Sequence, residues 1–141
     1  VGNVSRKRIL TLLLLALAFI TLAVVGTRVN RPASTQVIGC ANPLQGCSFT
    51  HHGYPAKLQF MAPPTPMQPF KMVVRAPGAK HVSAEVQMVG MDMGINRYNL
   101  SPAVQGTFTA EITLPVCVSG RRDWNLYLAI DDNTYVLPFS S

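Results

Sequence analysis

Acidic residues are scarce in this sequence: six Asp and Glu in 141 residues, against twelve Lys and Arg. There is no Gly-x-Ser-x-Gly elbow, no phosphate-cradling glycine loop and no His-Glu-x-x-His helix. Without these, and with so few carboxylates to act as acids or bases, no nucleophile and base arrangement stands out, and the chain is expected not to be an enzyme. Internal repeats and low-complexity tracts are also missing, and no helical period is visible beyond the first quarter of the chain. Tryptophan occurs once, as Trp124, and is read as a core residue.

The formal net charge of +6 is concentrated at one end. Residues 1–32 hold Arg6, Lys7, Arg8, Arg28 and Arg31 with no acid; residues 33–141 hold seven basic and six acidic residues, leaving +1. The remainder has no basic stripe and no interleaved basic and aromatic residues, so a nucleic-acid partner is not expected.

The positive charge flanks an apolar run, ILTLLLLALAFITLAVVG, Ile9 to Gly26, that carries no charge and two threonines. About 17–20 apolar residues span a bilayer as a helix. The basic residues ahead of the run outnumber Arg28 and Arg31 behind it, which favours a cytoplasmic N-terminus and an exported remainder. Val24, Val25 and Gly26 offer a small-residue cleavage site, but the run exceeds the roughly 7–15 residues of a signal core, so an uncleaved anchor is expected. The chain then divides into a cytoplasmic tail (1–8), a transmembrane anchor (9–26), a linker with a cysteine loop (27–56) and an exported domain (57–141). The tetrapeptide Val37-Ile38-Gly39-Cys40 resembles a lipoprotein box but lies too far past the apolar run.

Three cysteines in an exported protein raise the question of pairing. Cys40 and Cys47 enclose ANPLQG and are close enough along the chain for local closure, which would leave Cys117 as a thiol. Alternatively Cys117 pairs with one of them and pins the N-terminal segment to the domain.

From residue 57 onward the pattern is β. Strands are expected over 57–61, 70–75, 81–88, 95–100, 107–114, 124–130 and 134–139. Val82, Ala84, Val86 and Met88 alternate with Ser83, Glu85 and Gln87; Phe108, Ala110, Ile112 and Leu114 share a face, as do Trp124, Leu126, Leu128 and Ile130. The segment 62–69, APPTPMQP, has four prolines and must be a loop or an edge. Seven short strands separated by turn signals predict an all-β, immunoglobulin-like antiparallel sandwich behind a single N-terminal transmembrane helix.

The chemistry available is that of soft ligands: six methionines, three cysteines, and His51, His52 and His81. Thioether and thiolate sulfur favour Cu(I), and imidazole holds either copper state. Met91-Asp92-Met93 places two thioethers at i and i+2, on one side of an extended backbone, between Gly90 and Gly94, which allow that backbone to leave the sheet. A methionine pair on a strand is more often core than ligand, but an exported position at a strand end moves the balance toward metal. Met88 could supply a third sulfur, although it ends the inward face of its strand. His51 and His52 read as a solvated loop pair that could add imidazole, and Cys117, near Arg121 and Arg122, as a thiol whose acidity those cations raise or as a small buried residue. Met61 and Met67 flank the proline loop, and His81 reads as an exposed strand residue.

An anchor followed by one sandwich, with AEVQMVGMDMG (84–94), GTFTAEITLP (106–115) and DWNLYLAI (123–130), resembles the FixH and YtkA-like group of membrane-anchored periplasmic proteins. The resemblance covers roughly residues 57–139 and excludes the cysteine loop. It implies copper handling, or assembly of haem-copper cytochrome oxidases, at the bacterial inner membrane, with a haem-copper oxidase or a copper chaperone as partner. Met91 and Met93 are the positions that match its methionine motif. Two other roles fit the residues: a non-catalytic structural subunit of a respiratory membrane complex, and a thiol-redox helper using Cys40, Cys47 and Cys117.

Overall fold

The computed structural model describes residues 6–29, 35–116 and 120–141. The chain divides into two compact units, Val1–Pro32 and Ala33–Ser141.

The first unit contains one helix, α1 (Arg6–Val29). Leucine and alanine dominate its centre, and neither proline nor glycine interrupts it before Gly26. Its described apolar side chains, from Ile9 to Ile20, are all exposed. The described side chains run from Arg8 to Thr21. Among the described residues no helix is long and apolar enough to cross a membrane. The segment read as a transmembrane anchor is therefore present as a helix and is not shown to be a span.

The second unit is a β-sandwich. Its strands are β1 (Thr35–Val37), β2 (Cys47–His51), β3 (Tyr54–Phe60), β4 (Phe70–Arg75), β5 (Val82–Met88), β6 (Arg97–Asn99), β7 (Ser101–Pro102), β8 (Thr107–Ile112), β9 (Asp123–Ile130) and β10 (Asn133–Ser140). One sheet runs β1-β10-β9-β5-β6 and the other β2-β3-β4-β8-β7. The chain changes sheet between β1 and β2, β4 and β5, β6 and β7, and β8 and β9.

The core follows from alternation. Val82, Ala84, Val86 and Met88 of β5 are buried while the residues between them are half-buried; Trp124, Leu126, Leu128 and Ile130 of β9 repeat the pattern. Opposite them lie Leu58, Phe60, Met72, Val74 and Ile112 of the second sheet, all at most 1 % exposed. Burying each such side chain contributes about 1.5–3 kcal/mol, the main favourable term in holding the sheets together. Ala110, placed by its period on the core face, is only half-buried against that core.

Two features depart from the expected antiparallel, seven-strand sandwich. First, β1 pairs with β10 in parallel, with Thr35 opposite Thr134 and Val37 opposite Val136. Second, part of the stretch read as linker over 27–56 is sheet: β1, β2 and the start of β3 fall within it. The reason is tertiary. Ile38 donates its N–H to Val136 O at 2.8 Å and is itself buried, and Cys47 is buried at the head of β2. These short pieces have too few residues to show a period of their own.

Candidate metal site

The loop that carries the methionine pair leaves β5 at Met88 and enters β6 at Arg97. Met91 N donates to Met88 O at 3.3 Å, closing a turn, and Gly90 and Gly94 have φ of +74° and +72°, values that suit glycine. Asp92 Oδ1 accepts from Gly94 N at 3.0 Å, so this carboxylate shapes the loop. Met91 is 37 % exposed, whereas Met93 is half-buried and packs on the core. The backbone leaves the sheet between the two glycines, as expected, but only Met91 is exposed; Met93, expected to be exposed with it, packs against the core.

Met88 is a different case. It is 3 % exposed and pairs with Trp124, deep in the core, which sets it apart from the two sulfurs that follow it. Met72 is fully buried, and Met61 and Met67 stand exposed in the loop between β3 and β4.

His51 and His52 are not brought to the methionines. They close the β2–β3 hairpin, with His51 opposite Tyr54 and His52 at φ +49°, followed by Gly53 at +81°. His51 was read as a solvated loop residue but is 4 % exposed, with Nδ1 2.9 Å from Tyr135 Oη. His52 Nε2 lies 2.9 Å from Asn133 Nδ2, and the two imidazole rings meet edge to face at 4.3 Å. Burial lowers the His51 pKa, the neighbouring His52 lowers it further, and Asp131 offsets part of both. Asp131 sits at the β9–β10 turn beside Ile130, which pairs with Val82, the far end of β5 from Met88. Six residues of strand, roughly 20 Å, separate those ends. One ion cannot use both sets. Among the described residues, no group of three or more His, Cys, Asp or Glu gathers as a metal site.

Cys40 and Cys47 form a disulfide across the short loop, one of the two pairings left open by the sequence. The alternative in which Cys117 takes one of them is thereby set aside. Cys117 itself lies outside the described residues. His81 is exposed, as expected, and its backbone N–H, with that of Lys80, donates to Asp131 Oδ1 at 2.9 and 3.0 Å.

Two contributors to this end of the sandwich have no local signal. Arg121 Nη1 donates to Val89 O at 2.7 Å across 32 residues of sequence. Asn96 Nδ2, on the methionine loop, is buried without a hydrogen-bond partner.

No protein-family model matches the chain, and neither the curated proteins nor the solved structures offer a match.

Proposed function

We propose that this is a non-catalytic accessory protein, held at the bacterial inner membrane by α1 with its sandwich in the periplasm. It binds Cu(I) through Met91 and Met93 and serves cytochrome oxidase assembly or copper homeostasis. The observation that carries the reading is the placement of two thioethers on one glycine-bounded loop, one open to solvent and the other backed by the core. Soft sulfur donors of this kind select Cu(I) over hard cations. The buried, unpartnered Asn96 amide is a local cost within the same loop, which a rearrangement on ion uptake would relieve.

Strand order supports the immunoglobulin-like part of the reading. The strands β3, β4, β8 and β7 stand in the A-B-E-D order of that fold, and β5, β9 and β10 in its C-F-G order. The anchor reading is supported by the apolar run of 9–26 and by exposure of the described apolar side chains on α1. A haem-copper oxidase or a copper chaperone is the partner this role implies. Titration of the full chain in detergent with Cu(I) against a competing chelator tests it: Met91→Leu with Met93→Leu should abolish tight binding, and an unchanged affinity would sink the site.

A second reading, a structural subunit of a membrane complex, is favoured by one observation. Ile95, on the same loop, is 85 % exposed beside Val89 and Met91, an apolar surface suited to a protein contact. Co-purification with an oxidase free of bound copper would favour this role over the first.

A further inference from the structure

Arg121 fastens the start of the loop bearing the methionine pair. Arg121 Nη1 donates to Val89 O at 2.7 Å, and Val89 N donates to Asp123 O at 3.0 Å, so Val89 is held to the start of β9 through both its backbone groups. Gly90 makes room for this. A Cβ added there would stand 3.0 Å from Arg121 Nη1, so the guanidinium lies against bare backbone immediately before Met91. The one acid on the loop, Asp92, has an oxygen committed to Gly94 N.

We infer that Arg121 is the positioning and charge-selecting residue of the methionine site, ordering its loop through Val89 and biasing it toward a soft monovalent cation. The inference rests on the copper reading above. Thioethers are neutral, so an ion held by them keeps its whole charge. Repulsion from a neighbouring guanidinium rises in proportion to that charge, and a dication is penalised twice as much as Cu(I) or Ag(I). Asp92 pulls the other way and offsets the charge of Arg121. Replacing Arg121 with a neutral residue leaves Asp92 unopposed and turns the loop toward dications; neutralising Asp92 does the reverse. Both side chains reach solvent, so screening limits the effect to a modest factor that shrinks with added salt.

The test compares Ag(I), a redox-inert soft monocation, with Cd(II), a soft dication, by competition titration of the full chain. Arg121→Gln should lower the Ag(I)/Cd(II) affinity ratio about twofold at low salt, the order expected for one unit charge several ångströms away in a largely aqueous dielectric. Asp92→Asn should raise the ratio. Arg121→Lys, which keeps the charge but not the fork of donors, should hold the ratio while hydrogen exchange quickens over residues 89–94. Silver binding by the unaltered chain with the same ratio in Arg121→Gln overturns this inference alone. No silver binding by the unaltered chain overturns the copper reading and the inference with it.

Discussion

His51 Nδ1 meets Tyr135 Oη at 2.9 Å, a buried bond between an edge strand of one sheet and an inner strand of the other. Tyr135 Oη also lies 3.4 Å from Thr50 O, so the phenol bridges the buried imidazole to the end of β2. Replacing Tyr135 by Phe leaves the buried His51 Nδ1 short of its partner. The expected loss of stability is about 1–3 kcal/mol, read by denaturant unfolding.

The same imidazole makes stability depend on pH. In the unfolded chain His51 titrates near its ordinary 6.5; in the fold, burial and His52 hold it lower. Between those values the unfolded state binds more protons, so its contribution is complete above about 6.5 and is lost as pH falls through the folded value. Unfolding midpoints should decline from pH 7 toward 5, and His51→Gln should flatten that decline. An equal slope in the variant would remove His51 as the cause.

Asp131 governs a separate, more acidic range. Burial opposes its ionisation, but the N–H groups of His81 and Lys80 and the nearby His51 and His81 outweigh this and set its pKa below the ordinary 3.8. Its contribution is present above that ordinary value and is lost as pH falls through the lower folded one. Asp131→Asn, which tolerates the residue's φ of +49°, should be less stable than the unaltered chain at neutral pH, and the two should converge as pH falls through the lowered folded value.

The Cys40–Cys47 disulfide closes a loop of sequence separation 7. Loop-closure entropy for so short a ring gives about 2–3 kcal/mol. Cys40→Ala with Cys47→Ala should lower the unfolding free energy by that amount. Peptide mapping of the native chain should find these two linked and Cys117 outside the link.

Methionine oxidation should follow exposure. Met67 at 66 %, Met61 at 58 % and Met91 at 37 % stand in the path of a peroxide, while Met88 and Met72 are shielded at 3 % and 0 %. Mass spectrometry after limited peroxide treatment should find sulfoxide at the first three before the last two. Because a sulfoxide presents oxygen where the thioether presented sulfur, oxidation at Met91 should weaken Cu(I) binding as Met91→Leu does.

The long strands were legible because their period survives without tertiary help: β4 falls on the expected 70–75, and β5, β8, β9 and β10 lie within two residues of their expected limits. β6 lies inside the expected 95–100, whereas β1 and β7 have three and two residues, too few for a period to form. The methionine pair was legible through its glycines, whose backbone freedom is a local property. His51 was misread because nothing near it in sequence announces Tyr135, 84 residues away, as the partner that makes its burial tolerable. Arg121 was read only as a cation beside Cys117, since its bond to Val89 is likewise a product of the fold.

The disulfide has a consequence for how the sandwich meets other chains. Each sheet has two outer strands: β1 and β6 in one, β2 and β7 in the other. Cys40 follows β1 and Cys47 opens β2, so a covalent bond ties the two outer strands on one flank. On the other flank β6 runs into β7 through Leu100 alone, which is buried. The four outer strands are only three, five, three and two residues long, so each edge offers a second molecule a short row of backbone groups to pair with.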